Sequence, residues 1–566
     1  MDKGKGKGRS NATLGDCASN FMAQWNASRS GDPSANTEFA HGATETRSKR
    51  DVEQTLHSWR RGGAEVKVTK GTSIGYEMRQ KKQIASRQDK SSDLPAFVPE
   101  LDPPSPSLVP QPVPTPVAKS LRERLLEASA DVRSLRIAGA MSRSRGIEAL
   151  PPVVEDKDGR LAILGLDFGT AFSKAVVRWS GRHHAVDWSE AVEGDDHYLL
   201  ASVFSEAPDG LCVLGAHEAP GWTVLEGVKL QLLSSGESNL DDRMADAVIF
   251  IALAFRHVDR WMRKTSRDAA DGIRWRLHVG LPTKSWNNDA TTETFKIVAQ
   301  AARFLACTPG AVTRDGAVNA LRKTDQVDRP AVDVFPEFAC QLYSYLLSPE
   351  RGEDLHALVD IGAGTLDVAF FNVFMKDGEA LLPIFASEVD RLGAHYLIAA
   401  LSGVESGRRW ADGESSLSDD EVGRKLDCPP CEVFNRRSLY LSSVADVFHQ
   451  ATCAARKMYP TSPAFQRFEN VRLFLCGGGS RIRSLRKRFD RIAKEAASVL
   501  GIRFQVSELV RPRDLVGHLE SGFDRLSVAY GLSQNAANIG HVMRSATLDP
   551  LLPRERVDAK HRDDDR

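Results

Sequence analysis

Between Leu161 and Trp179 the chain reads LAILGLDFGTAFSKAVVRW. An apolar run, Leu161 to Leu166, meets the turn Asp167-Phe168-Gly169-Thr170, and a second apolar run follows at Ala175 to Val177. This pattern predicts a β-hairpin whose turn offers a carboxylate, uncovered backbone and a hydroxyl. About 190 residues later Leu355 to Val373, LHALVDIGAGTLDVAFFNV, repeats the grammar: apolar strand, Asp360, the turn Gly362-Ala363-Gly364-Thr365, then Asp367 and another apolar strand. A third apolar run, Val471 to Cys476, ends in Gly477-Gly478-Gly479-Ser480 and continues as a helix. Helical periodicity marks Asp241 to Met262, Thr292 to Cys307 (apolar face Phe295, Val298, Ala302 and Leu305) and Glu337 to Leu347. Arg276 to Pro282 reads as a buried strand, and Ser527 to Leu532 opens a final helix. Leu211 to Gly215 and Gly227 to Leu230 read as pieces of a small peripheral subdomain. Strands alternating with helices predict an α/β fold.

The flanks differ in kind. Residues 1–93 are polar and carry roughly six more basic than acidic residues, the composition of a disordered arm. Residues 94–117, LPAFVPELDPPSPSLVPQPVPTPV, form a proline-rich spacer or docking segment. In 118–158, Ser120 and Glu123 have capping-box spacing, and Leu121, Leu125, Ala128, Val132 and Leu135 follow at helical intervals. The folded body is expected over 159–536, with a polar tail at 537–566.

At 566 residues the chain exceeds one ordinary core, so two or more lobes are expected. A net charge of +0 gives the chain as a whole no polyanion-binding character; among its segments only the basic arm suits nucleic acid. No apolar run approaches the ~18 residues of a membrane span, and the N-terminus lacks the apolar stretch of a secretory signal. Eight cysteines over this length point to reduced thiols and a cytoplasmic location. Cys428-Pro-Pro-Cys431 stands without a second such pair and reads as a solvent-facing loop. No GxxxxGK[ST], HExxH or GxSxG arrangement is present.

Glycine lets backbone N–H groups come close to phosphate oxygens, and an aspartate beside it can hold a hydrated hard cation. Two such hairpins followed by a glycine turn resemble the actin, hexokinase and heat-shock-chaperone ATPase superfamily. Within it, the residues look most like the nucleotide-binding domain of DnaK-like heat shock protein 70 proteins. The resemblance covers about Leu161 to Gln534. It implies a two-lobed actin-like ATPase fold of duplicated RNase H-like domains, lobe I being about 159–350 plus 520–536 and lobe II about 351–519.

The resemblance also assigns roles. ATP or ADP is the implied nucleotide, with Mg²⁺ held largely through water by Asp167 and Asp360. Gly169, Thr170, Ala171 and Phe172, with Gly362, Ala363, Gly364 and Thr365, would cradle phosphates. Val224-Leu-Glu-Gly-Val-Lys229-Leu matches the segment of the family's catalytic lysine, and Glu337 the connecting-helix glutamate; Asp367 is a further candidate for ordering metal or water. Gly477, Gly478, Gly479, Ser480 and Arg481 would line the nucleoside, the Arg481 guanidinium against the base. Ala363 stands where the family has glycine, and Phe338 where it has proline. Some 35 residues follow Gly531, too few for the chaperones' peptide-binding domain.

The expected function is a nucleotide-controlled conformational switch with slow Mg²⁺-dependent ATP hydrolysis, acting on a protein partner through the N-terminal arm or proline-rich segment. The alternatives are an actin-like polymerising scaffold, a sugar or carboxylate kinase of the same superfamily, and a regulator that binds nucleotide without hydrolysing it.

Overall fold

Strand Arg160–Asp167 is buried over six consecutive residues, Ala162 to Asp167, so both of its faces are covered. Phe172–Trp179 folds back along it, with Leu164 opposite Val177 and Leu166 opposite Ala175, which is the expected hairpin. Ile273–Leu281 runs parallel on its other side. The structure is a computed structural model that describes residues 144–544 apart from 148–149, 194–196, 218, 234–238, 325–330, 377–378, 398–423, 425–428, 468, 518–521 and 540, together with 548. The arm, the proline-rich segment, the Ser120–Leu135 helix and Cys428 lie outside the described residues.

Two large sheets organise these residues. The first has the order Leu515–Val516, Arg182–Ala185, Phe172–Trp179, Arg160–Asp167, Ile273–Leu281, Val332–Pro336. The second runs Phe374–Lys376, Glu379–Asp390, Leu366–Asn372, Leu355–Ile361, Asn470–Cys476, Arg503–Ser507. In both, a central strand has two successive antiparallel neighbours on one side and two parallel strands on the other. A smaller sheet joins Cys212–Leu214, Val203–Glu206 and Thr223–Glu226. The segment from Gly227 to Leu230 leaves this sheet and enters a helix, Val228–Leu233.

Helix Leu240–Thr265 is buried without interruption from Ala245 to Asp259, including the charged Asp246, Arg256 and Asp259. Arg256 lies within that run. Its guanidinium donates to the carbonyls of Leu150, Leu305, Ala306, Thr308 and Gly310 at 2.5 to 3.2 Å. Those acceptors include the C-terminal carbonyls of helix Asp289–Cys307, where Leu305 O also accepts from Thr308 N–H and Ala306 O from Val153 N–H.

Helices Glu337–Leu346 and Ser527–Leu532 meet almost backbone to backbone. A Cβ on Gly531 would lie 2.0 Å from the Cys340 carbonyl oxygen. On the opposite side, a Cβ on Gly165 of the first sheet's central strand would lie 2.4 Å from the Ala529 oxygen. Phe338, Leu342 and Leu346 pack with Leu358 and Phe474 of the second sheet and with Val528 and Leu532. This joint leaves the hairpin ends of both central strands facing one cleft. Cys431 is exposed in the first turn of helix Pro430–Met458; a loop was expected there, but Pro429-Pro430 starts a helix, where proline's fixed φ suits the first turn.

Candidate functional site

The hairpin register decides which side chains stand beside the two lead aspartates. In the first hairpin Asp167 is directly opposite Lys174, and Lys174 Nζ donates to Asp167 Oδ2 at 2.9 Å. In the second, the equivalent register sets Asp360 opposite Asp367. One hairpin therefore neutralises its own carboxylate, while the other sets two acids side by side, an unfavourable cross-strand pair.

The turns are built to come close together. In the second, Gly362 N–H donates to the Thr365 carbonyl, and Ala394 and His395 N–H groups donate to Gly362 and Ala363, each at 2.9 Å. A Cβ on Gly393 would lie 2.3 Å from Ala363 O, so this support admits only glycine. A Cβ on Gly364 would lie 3.1 Å from Thr170 Cγ2, which brings the two hairpin tips into contact. The Ala363 methyl packs with Ala171, Ala201 and Val203 on the side of the first hairpin.

Around these turns lies a cleft of about 220 Å³. Asp167, Gly169, Thr170, Ala171 and Phe172 line it from the first hairpin, and Asp360, Gly362, Ala363, Thr365 and Asp367 from the second. Lys229, Glu337, Gly477, Gly478 and Gly479 complete the expected set. Lys229 is buried and ion-paired with Glu337. The acids on the cleft are crowded. Burial pushes the Glu337 carboxyl up against the opposing effect of Lys229, and Asp167 and Asp360 add to the rise. Burial and the neighbouring Asp167 raise Asp360, even though Gln341 Nε2 donates to its Oδ2 at 2.9 Å. Asp367 is pushed up to about 7, mainly by burial; the Thr283 N–H on its Oδ2 at 3.0 Å opposes the shift, and Asp360 and Glu337 reinforce it.

Gly477 has φ of 75°, and a Cβ there would lie 2.2 Å from Asp360 Oδ1. The glycine turn thus sits at the entry to the second hairpin's turn. Three expected residues do not line the cleft. Gly364 is taken up by the contact with Thr170, and Ser480 Oγ donates to Gly477 O at 2.8 Å. Arg481 turns away to pair with Asp524 at 2.8 Å and Gly522 O at 3.3 Å. Its guanidinium is therefore spent on the chain rather than placed against a base, and Arg525 lines the cleft instead.

Lys174, Gln341, His395 and Arg525 line the cleft without having been singled out from sequence. Two of them had a readable signal. Lys174 follows from the hairpin register once Asp167 is set at the strand end, and Gln341 lies one helical turn after Glu337. His395, five residues past strand Glu379–Asp390, and Arg525, in the turn just before helix Ser527–Leu532, stand where no local pattern marks a site.

Several buried polar atoms on the cleft have no hydrogen-bond partner: Gln341 Oε1, Asp367 Oδ1 and both ring nitrogens of His395. Such atoms call for a ligand, an ion or ordered water. Among the described residues no group of three or more His, Cys, Asp or Glu is arranged to hold a metal ion by itself. Asp167 and Asp360, already engaged by Lys174 and Gln341, suit a hydrated cation that also takes oxygens from a bound anion. No described helix is long and apolar enough to cross a membrane.

No protein-family model matches the chain, and no curated protein matches it in sequence. Among solved structures it is similar to that of MreB5 of Spiroplasma citri bound to ADP, with 13% identity and a TM-score of 0.35, over 65% of this chain and 94% of that one.

Proposed function

We propose that the chain binds a nucleoside triphosphate with Mg²⁺ in the cleft between two lobes of actin-like ATPase fold and hydrolyses it slowly. The shared strand order of the two sheets supports a duplicated, RNase H-like architecture. The observation that supports the ligand best is the meeting of two glycine-bearing hairpin tips over a cleft lined by unpaired buried polar atoms. Backbone N–H groups and the Thr170 and Thr365 hydroxyls are the donors available to phosphate oxygens. Lys174 and Lys229 supply positive charge, and Asp167 and Asp360 would hold the cation through water. Mg²⁺, when bound, neutralises phosphate charge, the main requirement of phosphoryl transfer. The crowded pair Asp360 and Asp367 gains from any cation placed beside it. Gly477 to Gly479, with Arg525, form the end suited to the nucleoside.

ATP binding and phosphate release by the full chain with Mg²⁺, beside Asp360→Asn and Lys229→Ala, tests this reading. Micromolar binding with slow turnover, reduced in both variants, is the expected result; absence of nucleotide binding refutes it. Two outputs share this cleft: a switch acting on a partner, and a scaffold that assembles with nucleotide. Lys229, in one of the segments behind the chaperone-like switch reading, lines the cleft while paired with Glu337, an arrangement that serves either output. Sedimentation with and without ATP separates them.

A further inference from the structure

His395 lines the cleft, and neither of its ring nitrogens has a hydrogen-bond partner although both are buried. Its backbone is fixed, because its N–H donates to Ala363 O at 2.9 Å and the adjacent Ala394 N–H holds Gly362. The imidazole is thus anchored at the tip of the second hairpin. The glycine turn abuts the entry to the same turn, where Gly477 meets Asp360 and Ile361, two to three residues before Ala363. A nucleotide laid with its nucleoside on Gly477–Gly479 and its phosphates along the turn would bring its far end to His395.

We propose that His395 is a binding residue for the terminal phosphate, through which the cleft distinguishes a nucleoside triphosphate from a diphosphate. The inference rests on the nucleotide reading above and extends it to ligand discrimination. The chain itself gives the buried ring nitrogens no partner, an arrangement that costs free energy until an acceptor arrives. Burial holds its pKa below the usual histidine range, so the ring is neutral at rest and has one N–H to donate. A phosphate oxygen is an ionised acceptor, and such hydrogen bonds are about twice as strong as neutral ones. The β-phosphate of a diphosphate, one position nearer Gly477, leaves the ring unpaired.

Isothermal titration of the full chain with ADP and with the non-hydrolysable triphosphate AMP-PNP, both with Mg²⁺, tests this. In His395→Ala, AMP-PNP affinity is expected to fall about 10- to 100-fold, with ADP affinity held within about threefold; His395→Gln, which keeps a donor, recovers part of the loss. Equal losses for both nucleotides, or none, overturn the proposal. If the wild-type chain binds neither nucleotide, the cleft reading itself fails; if it binds both and the variants leave their ratio unchanged, only the role of His395 does. A second measurement needs no variant. The His395 ring signals in the wild-type NMR spectrum should shift with AMP-PNP and stay near their free positions with ADP, and identical shifts with the two nucleotides refute the proposal.

Discussion

Asp367→Asn should stabilise the ligand-free protein at alkaline pH and lose most of that advantage in acid. The Asp367 carboxyl rises from 3.8 to about 7 in the folded chain, with one oxygen bonded to Thr283 N–H and the other unpaired. At about 1.4 kcal/mol per pH unit, that rise is a penalty of roughly 4 kcal/mol on the ionised form. Between pH ~4 and ~7 the folded protein holds more protons than the unfolded chain, so stability falls as pH rises. The penalty is complete above pH ~7 and disappears below pH ~4. An amide keeps the acceptor for Thr283 and removes the titration. Urea unfolding of both proteins, without nucleotide or Mg²⁺, should therefore give a difference about 3 kcal/mol larger at pH 8 than at pH 4.5. A difference that stays constant across this range would falsify the account of a carboxyl raised by burial. A saturating cation that narrows the gap at pH 8 would support it further.

Other outcomes follow from the same contacts. Lys174→Met leaves Asp167 buried beside the cleft without its cation; a fall of about 3 kcal/mol in stability is expected by urea unfolding, and an unchanged midpoint would rule out the ion pair as a structural element. Arg256→Met removes the donors to five carbonyls around the end of helix Asp289–Cys307, and should cost about 3–5 kcal/mol; hydrogen exchange should show that helix end opening first. Tyr440→Phe deletes a hydroxyl donated to Leu392 O at 2.6 Å and Gly393 O at 3.1 Å. That change should cost about 1–2 kcal/mol, and nucleotide affinity should weaken if the support under the second turn matters to the ligand.

Much of the fold could be read because its central elements are locally periodic. Both hairpins, the helix near Leu240 to Thr265, the strand ending at Leu281 and the glycine turn fall where the apolar pattern sets them. Strands Arg182–Ala185 and Arg503–Ser507 were not anticipated: each is short and mixes polar with apolar residues, so that sheet pairing rather than pattern fixes it. At the site, residues within the turns were recoverable because glycine and aspartate mark close backbone approach. Arg481 misled for a related reason. The motif fixes its place in the chain, but Asp524, 43 residues on, decides where the guanidinium points. His395 and Arg525 meet the cleft only through tertiary placement, which no window of sequence contains.

The contact of Gly531 with the Cys340 carbonyl has a consequence for how this chain can diverge. With 2.0 Å between a hypothetical Cβ and that oxygen, position 531 is closed to every other side chain while the two helices keep their separation. Yet Cys340 takes part through its backbone, so its own side chain can drift under packing pressure alone. In related chains the glycine should persist while residue 340 varies, and any chain lacking that glycine should have rebuilt the crossing with a wider spacing and larger side chains along both helices.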